Sequence, residues 1–204
     1  MSDKRRNEGR KGPPPLNQTR LEELALAYVA RFATTQAKLR LYLQRKTRER
    51  GWDGDSEDGR DGERSGAGEA SGALEELVGR YAEKGYVDDA AWAKMKAGSL
   101  LRRGYGARRV GEALGQAGVN EDLRAEQRPG LGEQRRAALV LARRRRFGPF
   151  AVQCGESEVD PKLHDKQLAA MLRAGHPLDI ARRIVESDDA DALEEWGESE
   201  FGDD

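Results

Sequence analysis

Residues 86–119 read YVDDAAWAKMKAGSLLRRGYGARRVGEALGQAGV. The first letters of this stretch match those of a catalytic metal hairpin, in which neighbouring carboxylates hold two cations about 3.5–4 Å apart. That chemistry needs flanking strands and further carboxylates from a distant strand. Here Gly85 ends a helical stripe before the pair, and an alanine-rich helical stretch follows it. Asp88 and Asp89 are therefore expected to start a helix. Asp88 suits the N-cap, and Asp89 suits the first turn near the positive end of the helix dipole. Trp92, Met95 and Leu100 are the expected apolar anchors of that helix. Gly104-Tyr105-Gly106 breaks it, and Val110, Ala113, Leu114 and Ala117 carry the next one, which ends at Gly118. Gly104, Gly106 and Gly111 lack both the spacing and the preceding strand of a dinucleotide-binding loop. A tight helix–helix corner is the expected reading, with Gly104 or Gly106 taking positive φ.

The helical period extends in both directions. Leu21, Leu24, Ala25, Tyr28, Val29 and Phe32 form one apolar stripe. Thr34 or Thr35 can cap a second helix carrying Leu39, Tyr42 and Leu43. Leu74, Leu77, Val78 and Tyr81 mark a third. Downstream, Asn120 caps a short helix. Ala137, Ala138, Leu141 and Ala142 lie on one over 132–147. Leu168, Met171 and Leu172 follow Pro161, and Ile180, Ala181, Ile184 and Val185 follow Pro177. No stretch alternates with period two, so the chain reads as all-α. An internal repeat is visible: EALGQAGV (112–119) aligns with AAMLRAGH (169–176), and LYLQRKT (41–47) fits the same frame through Leu43.

Of the 204 residues, 36% are charged and 37% hydrophobic, a balance suited to an elongated body with much surface. The net charge of −1 conceals a strong asymmetry. Residues 187–204 hold nine acids and no Lys or Arg, and 53–72 hold seven acids against two bases. The remainder is basic, which suggests a polyanionic partner or an acidic protein surface. Residues 53–72 contain no apolar side chain larger than alanine and are expected to be a flexible insert. The lone Cys154 excludes an intramolecular disulfide and fits a reducing cytoplasm. His164 and His176 lack zinc-ligand spacing, so no metal and no cofactor are expected. No apolar run is long enough for a membrane span.

Two basic clusters remain. Arg102, Arg103, Arg108 and Arg109 bracket Tyr105. Arg143, Arg144, Arg145 and Arg146 are consecutive and sweep about 300° around a helix, so they cannot share one solvated face. Guanidinium groups suit phosphates and carboxylates through paired hydrogen bonds.

The stretch 86–119 resembles the central signature of the RecX regulatory proteins, partners of the recombinase RecA. The matching positions are Asp88, Asp89, Trp92-Ala93, Arg103-Gly104-Tyr105-Gly106, Arg108, Arg109, Val110, Leu114 and Gly118. Residues 25–46 resemble the family's opening helix pair, and 133–186 more loosely its closing unit, so the resemblance covers 19–50 and 73–186. Trp92 stands where phenylalanine is usual, and Thr47 where glycine is usual. The insert and the acidic tail look like additions.

The resemblance implies an elongated, curved array of three tandem three-helix repeats. These would span 19–84 (interrupted by 53–72), 88–127 and 132–186; by composition, the charged, Pro-rich 1–18 is expected to be disordered and the acidic tail, 187–204, mobile. It implies a cytoplasmic, monomeric, non-enzymatic protein that binds RecA and the RecA–DNA filament. Such a protein would mainly inhibit RecA's recombinase and ATPase activities in DNA repair and the SOS response. The DNA phosphate backbone would be a further contact. Arg102, Arg103, Tyr105, Arg108 and Arg109 are the expected partner-binding residues, with Arg143–Arg146 as a second patch. Asp88, Asp89, Trp92, Gly104, Gly106 and Gly118 are expected to be structural. The competing readings are a helical adaptor that binds nucleic acid without RecA and a scaffold for an unrelated protein.

Overall fold

The computed structural model describes residues 13–53, 62–151 and 161–199, without the side chains of 62–66 and 161. Among the described residues there are ten α-helices and no strand beyond an isolated bridge between Leu16 and Trp52. The fold is all-α. It divides into two compact units, 1–88 and 89–204.

The first unit holds α1 (Gln18–Val29), α2 (Gln36–Arg50) and α3 (Gly62–Glu83). Asn17 caps α1 by accepting from the Arg20 N–H, and Thr35 caps α2 by accepting from the Lys38 N–H. The expected stripes meet in one core: Leu21 and Ala25, Leu39 and Leu43, and Leu74, Leu77, Val78 and Tyr81 are all buried. Burying each aliphatic side chain of this size contributes about 1.5–3 kcal/mol. An Arg40–Glu75 ion pair at 2.7 Å ties α2 to α3.

Three expectations fail in this unit. Leu16, placed in the disordered N-terminus, is fully buried in the core. Its N–H donates to the Gly51 carbonyl (2.9 Å), and its carbonyl accepts from the Asp53 N–H (2.7 Å). The flexible insert expected over 53–72 fails from Gly62 onward, because α3 begins there and Ala70 is already buried, while 54–61 lie outside the described residues. Once Leu74–Tyr81 have nucleated the helix by packing, extending it backwards carries no new nucleation cost. Phe32 does not join the stripe. It follows the end of α1 and is 56% exposed.

The second unit contains α4 (Asp89–Arg102), α5 (Ala107–Gln116), α6 (Glu121–Glu126) and α7 (Leu131–Arg145). A 3₁₀ turn (Gly148–Phe150) precedes α8 (Pro161–Arg173), α9 (Leu178–Glu186) and α10 (Ala190–Glu198). Trp92, Leu100, Val110 and Leu114 belong to the cluster of α4–α6. Met95, read as an anchor, is instead 51% exposed. Ala138, Leu141, Met171, Ile180 and Ile184 belong to the cluster that follows. Each cluster falls within a run of three or four helices, which is compatible with tandem three-helix repeats. The aligned segments share one exit: Val119 N–H donates to the Leu114 carbonyl and His176 N–H to the Met171 carbonyl, at 3.2 Å in both. Gly118 and Gly175 supply the positive φ that this helix cap requires.

The acidic tail is not mobile between 190 and 198. Asp189 caps α10 by accepting from the Asp191 and Ala192 N–H groups. Leu193 and Trp196 bury themselves in the cluster of α7–α9. Gly197 packs against Leu139 so closely that a Cβ would lie 2.2 Å from its Cδ1. One leucine and one tryptophan three residues apart outweigh the solvation of an otherwise charged segment.

Candidate partner-binding surface

The corner between α4 and α5 is built by close backbone approach. Gly104 takes φ +79° and backs onto α7, where a Cβ would come within 2.8 Å of the Leu141 nitrogen. Gly106 has an ordinary φ of −82°, so positive φ is not its reason for being glycine. Its constraint is steric, since a Cβ would sit 2.3 Å from the Gly175 carbonyl oxygen. The Gly106 N–H donates to the Ala174 carbonyl at 2.9 Å, and the Arg108 N–H to the Gly175 carbonyl at 3.3 Å. The α4–α5 link is thereby locked onto both α7 and the α8–α9 turn.

His176 completes the lock. Its ring is buried, and Nε2 lies 3.0 Å from the Gly104 carbonyl. The carbonyl can only accept, so Nε2 carries a proton. Burial pushes the imidazole below its usual pKa, with the Gly104 carbonyl opposing that shift. Sequence reasoning assigned this histidine no role. Its only signal was its place after Gly175 at the end of the repeated segment.

This rigid corner carries the first arginine cluster outward. Arg102 ends α4 and Arg103 follows it, both exposed, with neither in an ion pair among the described residues. The Arg103 guanidinium stands over the Tyr105 ring at 5.3 Å. Arg108 and Arg109 open α5 and share Glu112, at 2.6 and 3.1 Å. Arg108 also donates to the Leu172 carbonyl at 2.8 Å, so it helps hold α5 to α8. Arg108 lines a cleft of about 630 Å³ beside α6, with Arg124, Arg128 and Gln134. Arg124 and Arg128 were not singled out in the sequence, since neither belongs to a run of arginines.

The second cluster ends α7. Arg143–Arg146 are all exposed. Arg143 pairs with Glu194 of α10 at 2.6 Å and lies over the Phe150 ring at 5.8 Å. Arg146 is the helix-ending residue in the left-handed region, at φ +58°. Three of the four thus project from the last turn and beyond, while the first is engaged internally.

Asp88 and Asp89 stand where α4 begins, Asp89 being its first residue. Among the described residues no group of three or more His, Cys, Asp or Glu side chains is placed to hold a metal ion. His164 lies near Asp165 and Glu186, at 3.8 and 3.9 Å. Cys154 falls outside the described residues. No described helix is long and apolar enough to cross a membrane.

No family model matches the chain. A curated protein from Myxococcus xanthus (strain DK1622), named "Regulatory protein RecX", is 34% identical over 192 residues, covering 92% of this chain and 96% of its own length. That span exceeds the 19–50 and 73–186 legible from the sequence, and it runs nearly end to end in both proteins. With the arginine-bearing glycine corner placed in an all-helical chain, this similarity shows that the protein belongs to the RecX family of regulatory proteins.

Proposed function

We propose that this protein binds RecA and the RecA–DNA filament and modulates, mainly by inhibition, their recombinase and ATPase activities in DNA repair and the SOS response. The observation that carries this reading is the end-to-end similarity to a RecX regulatory protein. The site geometry supports it. A corner held by glycines and a buried histidine presents Arg102 and Arg103 as exposed cations on a rigid base. Pre-organised arginines lose less freedom on pairing with carboxylates or phosphates, which favours binding. The role is non-catalytic and cytoplasmic, exerted by a monomer. The RecA surface is the main contact, and DNA phosphates are an additional one.

The test titrates the protein into RecA's DNA-dependent ATPase assay. Wild-type protein should lower the rate. Changing Arg102 and Arg103 to Ala should weaken inhibition by about tenfold, within the range for charged interface contacts, with an unchanged melting temperature. Adding R108A and R109A should weaken it further, although loss of the Arg108–Leu172 bond will also cost some stability. Full inhibition by a folded quadruple variant would overturn the site. No effect of wild-type protein on RecA would overturn the function, leaving RecA-independent nucleic-acid binding as the competing reading.

A further inference from the structure

The first unit carries a surface that the arginine clusters do not explain. A groove of about 620 Å³ runs between α1 and α2. On it Tyr28 stacks on Tyr42, with ring centroids 4.3 Å apart and planes 16° from parallel. Phe32 lies against Tyr28 at 5.3 Å, and the Arg45 guanidinium lies over Tyr42 at 5.8 Å. The result is a short aromatic column: two stacked tyrosines, with the Arg45 cation at one end and the exposed Phe32, tilted 49° to Tyr28, at the other. Arg31 and Lys38 stand along the same groove, and no carboxylate lines it among the described residues. Arg45 pairs with Glu49 at 3.7 Å.

Tyr28 and Tyr42 pack against the core of this unit, but the outer part of the arrangement is not explained by folding. Phe32 and Leu41 are 56% and 64% exposed, so they contribute little to the core. Arg31, Lys38 and Arg45 add positive charge beside this exposed apolar surface. Together these features match one ligand chemistry: a polyanion with exposed planar faces. A duplex offers charge but keeps its base faces stacked inside. An acidic peptide offers charge without a regular supply of planar groups. A single nucleic-acid strand offers both, and proteins bind it by pairing a basic groove with aromatic platforms.

We propose that the α1–α2 groove is a binding site for single-stranded nucleic acid, with an unpaired base continuing the ring column at Phe32 and phosphates held by Arg31, Lys38 and Arg45. This goes beyond the RecA reading. It lies in the other unit from the arginine corner, shares no residue with it, and is tested without RecA.

The experiment measures anisotropy of a labelled oligothymidylate with the full chain over a range of salt concentrations, beside a duplex of equal length. The single strand should bind more tightly, with affinity falling as salt rises. Phe32→Ala should weaken binding about tenfold, within the range for one base–aromatic stack. Arg31→Ala with Arg45→Ala should reduce the salt slope by roughly two phosphate contacts. Photocrosslinking of a bromodeoxyuridine-substituted strand should label the peptide containing Phe32 or Tyr42. Three results overturn the site: duplex binding as tight as single-strand binding, unchanged affinity in folded Phe32→Ala, or crosslinks confined to the second unit. Binding of a polyglutamate peptide without binding of the oligonucleotide would assign the groove to an acidic protein partner instead, and would also overturn it. None of these outcomes depends on the RecA ATPase result, so the two readings fail separately.

Discussion

In the second unit Arg135 and Arg183 lie 5.0 and 4.9 Å from the Trp196 ring centroid, and that ring is 6% exposed. In the first, Arg45 lies 5.8 Å from the Tyr42 ring, in a column whose far end, Phe32, stands in solvent. Both pair arginine with an aromatic ring, and the outcomes are opposite. Around Trp196 the interaction is closed. Arg135 is buried, donates to Ser199 Oγ at 2.8 Å, and serves to fasten α10 onto α7. Around Tyr42 it is left open: Arg45 pairs with Glu49 at 3.7 Å, both side chains standing in solvent, and no carboxylate lines the groove itself among the described residues. Desolvated cation–π contacts contribute about 2 kcal/mol or more, against about 0.5–1 kcal/mol at exposed sites. The first arrangement therefore stabilises the fold, and the second retains most of its capacity for a ligand.

The comparison breaks if Trp196 proves dispensable. Trp196→Ala should destabilise the protein by about 3–5 kcal/mol, as large aromatic deletions in cores do. Chemical denaturation should show this, and a change under about 1 kcal/mol would mean that α10 is only loosely docked. A smaller loss, about 1–3 kcal/mol, is expected from Gly106→Ala, because its new methyl group must displace the Gly175 carbonyl. Its thermal melt should fall, and a neutral result would show that the corner can relax. The smallest effect sharpens the contrast: Phe32→Ala should change stability by no more than about 0.5 kcal/mol, as exposed substitutions do. A larger loss would make that ring part of the core and remove the reason for treating the column as open.

Most of the fold was legible because helical period and burial coincide. The stripe Leu74–Tyr81, the Thr35 and Asn120 caps and the glycine stops all stand where local chemistry placed them. Three segments misled for a shared reason. Leu16, Ala70, Leu193 and Trp196 are sparse apolar residues in charged or glycine-rich surroundings. Composition averaged over such a segment predicts disorder, whereas one or two side chains finding a cleft are enough to order it. Phe32 and Met95 misled in the opposite direction, since periodicity assigns a face but not the length over which a neighbour covers it.

Of the candidate surface, the sequence supplied the arginines and the glycine corner that presents them. It could not show that Arg108 is bonded to the Leu172 carbonyl, that Arg143 is paired with Glu194, or that Arg102 and Arg103 lack such partners among the described residues. Those partners lie 64 and 51 positions away in the chain, and no local pattern encodes them.

By itself, then, the sequence determined that the chain is helical, where most helices start and stop, and which family it resembles. These follow from backbone capping, side-chain period and residue type, all of which act within a few positions. Tertiary structure alone decided why Gly106 must be glycine, why burial lowers the pKa of His176, and which arginine–aromatic groups are closed and which stay open. Each of those depends on what another helix brings within a few ångströms, and that distance is set by packing.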